Sequence, residues 1–377
     1  MKILLVGEYS RLHNSLKEGL VALGHEVLLI STGDFFKDYP SDIILKRKYD
    51  KGFGRKVKIG LHKLFGADIT SQSLKKQFYS HSEALKGFDI VQLINESPLT
   101  TTPEVSVTLI SFLKKHNKRL FLLSCGTDFV SVSHAMSDAH PYSILEGYKK
   151  GTEPKEKYKF ILSYLTQPYK KLHDFVYSQI DGVIASDMDY HLPLKDHPKY
   201  LGLLPNPVNF SKLTIPEITS QYPIVLFMGI NRGNMHTKGI HYFEKALAIV
   251  QKKHSEKIEI EIVENLPYAE YIEKYNKAHI VLDQVLAYDQ GYNALEAMAK
   301  GKVVFTGAET EFYNYYNLDE TVAINALPDA ADIAEKLTEL ILNPSKIEKI
   351  GKAASAFVLK EHDHIKVAQQ YVNTWSN

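Results

Sequence analysis

Tyr288-Asp-Gln-Gly-Tyr-Asn-Ala-Leu-Glu296-Ala-Met-Ala-Lys300-Gly-Lys-Val-Val-Phe305 is the stretch from which the rest of this 377-residue chain can be read. It parses as a glycine-bearing loop through Gly291, a short helix, a glycine stop at Gly301 and a β-branched strand. Glu296 falls in the first turns of that helix. Its carboxylate is near the positive end of the helix dipole, with Ala294, Leu295, Ala297 and Met298 around it. An acid so placed wants hydrogen-bond donors. Two readings fit: a ligand-binding carboxylate, or one half of an i, i+4 pair with Lys300 that looks at water.

Upstream, Ile224 to Gly229 reads as a buried strand, and a polar loop, Asn231-Arg232-Gly233-Asn234-Met235-His236-Thr237-Lys238-Gly239, leads into a helix with Ile240, Phe243, Leu247 and Val250 on one face. Lys238 stands just before that helix, where a cation opposes the dipole unless an anion shares the site. Strands at Ile258 to Val263 and His279 to Asp283 follow, so Asp283 ends the strand that enters the Tyr288 loop.

The amino terminus has the same grammar. Lys2 to Gly7 is a strand closed by glycine, Leu12, Leu16, Leu20 and Leu23 mark a helix, and Glu26 to Ile30 is the next strand. This βαβ unit opens a doubly wound sheet, whose ligands sit beyond the carboxyl ends of strands. Glu8, Tyr9, Ser10 and Arg11 are therefore candidate cleft residues, with ordinary loop roles as the alternative. Gly-x-Gly-x-x-Gly is missing after the first strand, which removes the main support for a dinucleotide site. Strands at Asp89 to Ile94 and Arg119 to Ser124 continue this half. Pro205, Pro207, Pro216 and Pro223 punctuate a linker.

The totals fit two domains of ~150 to 200 residues each. Hydrophobic content of 44% and charged content of 24% describe a globular protein, and a net charge of +1 gives no global field for nucleic acid. No apolar run approaches a membrane span, and the first residues lack a signal peptide's layout, so a cytoplasmic location is expected. The single cysteine, Cys125, excludes an internal disulfide and a cysteine-rich zinc site. Asp187-Met188-Asp189 has the form of a metal-binding Asp-x-Asp, but a second nucleotide-type half follows it, so that assignment is declined. Lys46, Arg47, Lys48, Lys51, Arg55, Lys56, Lys58 and Lys63 face one acid, Asp50, with apolar residues between. Such a segment suits peripheral contact with an anionic membrane or lipid-linked acceptor; a solvated loop fits equally, since Gly52 and Gly54 interrupt a single amphipathic helix.

Gly291-x4-Glu296-Ala-Met-Ala-x-Gly301-Lys-x-Val304 resembles the donor-site signature of retaining glycosyltransferases of the GT-B type, family 4 and its capsule, exopolysaccharide and lipopolysaccharide members. The resemblance implies an α/β architecture of two Rossmann-like doubly wound domains facing a cleft. It places an acceptor domain over 1–206, a donor domain over 207–360 and a final helix over about 361–377 that packs back on the first domain, with Trp375 as its anchor. Pro205-Asn206-Pro207-Val208-Asn209 resembles the Pro-Asn-x-Val-Asp stretch that closes the family's first domain.

By the same match Glu296 binds the ribose hydroxyls of a nucleotide sugar, and Arg232 and Lys238 hold its diphosphate. Gly229 stands one residue further from the arginine than is common. The family's sugar-contacting glutamate is replaced by Tyr288, with Asp289 beside it. Gly291, Tyr292, Asn293 and Asp283 complete the expected donor site. Ser124-Cys125-Gly126-Thr127-Asp128 occupies the place of a His-Gly-x-Asp loop, which makes Gly126 and Asp128 acceptor-side candidates, Asp128 also a catalytic one, and His134 a further candidate. The implied activity is transfer of a sugar from a nucleoside diphosphate sugar to a saccharide or lipid-linked acceptor, with retention and without metal or cofactor. A nucleotide-sugar 2-epimerase of the same shape is the nearest alternative, and a non-enzymatic two-lobed binding protein a more distant one.

Overall fold

A computed structural model describes residues 1–34, 39–65, 68–213, 221–264 and 268–377, so Pro216 lies outside the described residues. Among the described residues the first sheet holds seven strands: β1 (Lys2–Val6), β2 (Glu26–Ser31), β3 (Ile43–Ile44), β4 (Ile90–Leu93), β5 (Arg119–Ser124), β6 (Gly182–Ala185) and β7 (Tyr200–Leu203). Their order is β3-β2-β1-β4-β5-β6-β7 and every pairing is parallel. Chain direction in the winding reverses between β1 and β4, which makes their carboxyl ends the switch point. Ile3, Leu4, Leu5 and Val6 are fully buried, as expected for a parallel sheet covered on both faces.

The second sheet holds β8 (Ile224–Ile230), β9 (Ile258–Glu264), β10 (Ile280–Leu282), β11 (Val303–Thr306) and β12 (Ile324–Asn325) in the parallel order β12-β11-β10-β8-β9. Its switch point lies between β8 and β10.

The chain divides into two compact units: Met1–Ser133 with Phe160–Pro207 and His364–Asn377, and His134–Lys159 with Val208–Asp363. Residues 134–159, drawn with the first half from sequence, cluster with the second. The last helix, His364–Ser376, lies in the first unit against the helix Leu12–Ala22. Gly19 permits that approach, because a Cβ there would stand 2.1 Å from the His364 carbonyl oxygen. Trp375 is buried at the end of this helix, and its indole Nε1 donates to Gln92 Oε1 at 2.9 Å in the middle of the sheet. A polar residue in β4 thereby has its partner, which the strand pattern could not supply.

Candidate functional site

The helix Tyr292–Ala299 starts at Gly291 and stops before Gly301, which has φ +73°, so the glycine punctuation read from sequence matches the backbone. Gly307, just past β11, lets the preceding loop close in; a Cβ there would stand 2.5 Å from the Ala287 carbonyl oxygen and the Asp289 nitrogen. Asp289 and Gln290 serve this loop internally. Asp289 Oδ1 accepts from the Gln290 backbone at 2.7 Å, and Gln290 Nε2 donates to the Gly307 carbonyl at 2.7 Å.

At the β8/β10 switch point three of the expected donor-site residues converge. Lys238, last residue of the turn of helix Met235–Lys238, donates from Nζ to Asp283 Oδ1 at 2.8 Å, and Asn293 Nδ2 donates to the same oxygen at 3.1 Å. Asp283 is only 3% exposed, and its Oδ2 is buried without a hydrogen-bond partner among the described residues. Glu296 is one turn beyond Asn293 on the same helix, half-buried, which puts the two side chains on one face. Tyr292 opens that helix and is half-buried too. Gly229 lies in β8 against the Tyr271 ring.

Arg232 stands apart from this group. Its guanidinium grips Glu264, at the end of β9, through Nε at 2.8 Å and Nη2 at 2.6 Å. The pair is exposed, so releasing the arginine to a ligand costs only ~0.2 to 1 kcal/mol.

Lys300 is no surface partner for Glu296. It is 6% exposed, its Nζ donates to Asn276 Oδ1 at 2.9 Å, and it lies 5.0 Å from the Tyr275 ring centre. Burial lowers its pKa, and the charge of Glu296 opposes that shift. The solvent-facing pair offered by the helical wheel fails on the lysine side, because the helix packs that flank inward. Lys302 is buried likewise, donates to the carbonyls of Asn276 and Ala278 at 2.9 and 2.6 Å, and is pushed down to about 7 by burial.

Tyr288 is buried in an aromatic group that sequence reasoning missed. Its ring stacks on Tyr142 at 5.1 Å and lies 4.7 Å from His140, which in turn meets His134 at 4.8 Å. The Tyr142 hydroxyl donates to the Glu309 carboxylate. His134 lies on the helix Phe129–Met136, which starts directly after Asp128, and reaches this group through His140. No local pattern announces this group, since it joins residues 134–142 to Tyr288, from a distant segment.

In the first unit, Glu8 and Glu96 follow the two switch strands β1 and β4. Both are buried. Glu8 Oε2 accepts from the Asn14 backbone and side chain at 2.8 and 2.7 Å, while Oε1 has no partner among the described residues. Burial pushes the Glu8 carboxyl up to about 7 against those two bonds, with Asp34 adding to the rise. Burial likewise raises Glu96 to about 7, although His173 Nδ1 lies 2.6 Å from its Oε1. Sequence reading nominated Glu8 and passed over Glu96, whose Asn95-Glu96 context carries no motif. Asp128 is buried, accepting from Ser124 Oγ at 2.6 Å and the Ser131 backbone at 2.7 Å. Ser10 and Arg11 both have positive φ, 50° and 73°. Two such non-glycine residues in succession store strain of ~1 to 3 kcal/mol each. The Ser10 backbone donates to Asp34 at 2.9 Å, and Arg11 turns onto its own helix to pair with Glu18 at 2.9 Å. Tyr9 is half-buried, its ring in contact range of Gly126.

Asp187 Oδ1 accepts from the Asp189 backbone at 3.0 Å and caps the helix Met188–Leu194. Asp187 thus has a helix-capping role. Among the described residues no group of three or more His, Cys, Asp and Glu is placed to hold a metal ion, and no helix is long and apolar enough to cross a membrane.

Two Rossmann-like domains with parallel sheets define the GT-B fold. Residues 233–373 match the sequence model of a family described as Glycosyl transferase-like. Sucrose-phosphate synthase from Thermosynechococcus elongatus superposes with a TM-score of 0.61 at 14% identity, covering 100% of this chain and 98% of that one. HepE from Anabaena, solved in complex with UDP-glucose, gives a TM-score of 0.59 at 14% identity over 100% and 99% of the two chains. UDP-GlcNAc 2-epimerase from Neisseria meningitidis, solved bound to UDP-GlcNAc, gives 0.53 at 14% identity over 99% of each. At such identities these likenesses concern the fold. No curated protein matches the sequence significantly.

Proposed function

We propose that this protein is a glycosyltransferase that moves a sugar from a nucleoside diphosphate sugar to a saccharide or lipid-linked acceptor, with retention, in surface polysaccharide assembly. The observation that carries the reading is the convergence of Lys238, Asp283 and Asn293 at a switch point, with Glu296 one turn away, inside the segment that matches the glycosyl transferase-like family.

The chemistry follows from charge. Breaking the bond from the sugar's anomeric carbon to the diphosphate oxygen leaves negative charge on the diphosphate. Lys238, oriented by Asp283, and Arg232, released from Glu264, neutralise it, which is the electrostatic contribution that dominates most catalysis of this kind. The acceptor oxygen forms the new bond to the anomeric carbon, and its proton passes to the departing phosphate oxygen. Glu296 accepts the ribose hydroxyls. Glu8 to Arg11, Gly126 and Asp128 form the acceptor side.

The epimerase alternative is favoured by the likeness to the Neisseria enzyme. Incubating the protein with UDP- and GDP-sugars in the absence of acceptor separates the two. Slow release of free sugar supports the transferase, and an epimerised nucleotide sugar overturns it. Retention is tested by the anomeric configuration of the product.

A further inference from the structure

From Gly52 to Phe65 the basic segment is one helix, preceded by Lys46, Arg47, Lys48 and Lys51 outside it. Gly54 packs over Tyr49, where a Cβ would stand 3.2 Å from the Tyr49 Cα. One flank faces the protein: Lys58 pairs with Asp50 at 2.8 Å and approaches Asp68 at 3.7 Å. The other flank does not. Phe53 is 80% exposed, Leu64 75% and Val57 37%, and the spacing of Phe53, Val57 and Leu64 sets them on one stripe of the helix. Large apolar side chains left in water along a single line mark an interaction surface.

Charge identifies what that surface meets. Lys48, Lys51, Arg55, Lys56 and Lys63 are exposed, and none is ion-paired to a described residue. Asp50, the lone acid of the segment, is consumed by Arg47 and Lys58, each at 2.8 Å. A chain with net charge of only +1 thus concentrates uncompensated cations around an outward apolar ridge. A ridge is convex, so it inserts; flanking cations prefer anionic headgroups.

We propose that the helix Gly52–Phe65 docks this protein on an anionic bilayer surface, with Phe53, Val57 and Leu64 entering the headgroup boundary and Lys56 and Lys63 on the phosphates. The docking is independent of the donor site, and its test needs no sugar donor.

The full-length protein is sedimented with phosphatidylcholine vesicles and with vesicles containing about 30% phosphatidylglycerol. Partitioning should rise at least about tenfold with the anionic lipid and fall steeply with salt, because the Debye length shrinks from ~10 Å at 0.1 M to ~3 Å at 1 M. Phe53→Ser with Leu64→Ser should lower partitioning about tenfold or more without changing the melting temperature, since both side chains are exposed. Lys56→Gln with Lys63→Gln should lower it about fivefold per lysine at low salt. Equal partitioning to the two vesicle types overturns the proposal, as does full binding by the Phe53/Leu64 variant.

Discussion

Lys238 Nζ and Asp283 Oδ1 are 2.8 Å apart at the carboxyl edge of the second sheet, and the other oxygen of Asp283 is buried and unbonded among the described residues. The carboxylate holds the lysine in place, and the lysine side chain as a whole keeps 28% of its surface exposed. Under the proposed function the pair has both a stability role and a binding role, which different variants separate.

Lys238→Met should destabilise the protein by about 1 to 3 kcal/mol, because it strands a buried charge. It should also weaken UDP or GDP binding about tenfold or more. Adding Asp283→Asn removes the stranded charge, so stability should recover while binding does not. Urea unfolding and calorimetric titration on both variants check this; recovery of binding in the double variant would refute the lysine's role at the diphosphate.

Glu296→Gln should lower nucleoside diphosphate affinity by about ten- to a hundredfold, through loss of charge-assisted bonds to ribose worth ~1.5 to 3 kcal/mol. Stability should change by less than about 0.5 kcal/mol. Lys300→Gln should do the reverse, costing about 1 to 3 kcal/mol of stability at its buried bond to Asn276 and sparing affinity. Equal small effects on binding from both would sink the ribose assignment.

Donor binding and turnover should survive chelation of divalent ions. Asp187 caps a helix, and the proposed function gives the diphosphate two cations, Lys238 and Arg232. Loss of both with EDTA, and restoration by Mn²⁺ or Mg²⁺, would show that account to be wrong.

Glu8 makes stability depend on pH with a definite sign. Its carboxyl lies near 7 in the folded protein against an ordinary 4.5, so between those values the folded state binds the extra proton. Its contribution is complete below about pH 4.5 and is lost as pH rises through about 7. Glu8→Gln keeps an acceptor for the two Asn14 donors and never ionises. The variant should match the parent near pH 4.5 and exceed its stability by about 1 to 3 kcal/mol at pH 8. Parallel melting curves across this range, with no divergence, would contradict the assignment.

The sequence by itself determined the elements whose signals are local. Alternation of apolar strand, glycine, apolar-periodic helix and strand is set by period and turn chemistry, so Lys2–Val6, Leu12–Ala22, Ile224–Ile230 and Tyr292–Ala299 appear close to where the pattern puts them. Lys238 and Asp283 were likewise legible, Lys238 from its place just before a helix and Asp283 from its place at the end of the strand entering the Tyr288 loop. What the tertiary structure decided are the partners drawn from distant segments. Whether Lys300 faced water or protein depended on Tyr275 and Asn276, more than twenty positions away. The stacking of Tyr288 on Tyr142, and the bond from Trp375 to Gln92, join residues more than a hundred positions apart. Helical and strand periods say which face of an element is apolar; they do not say which other element will cover it.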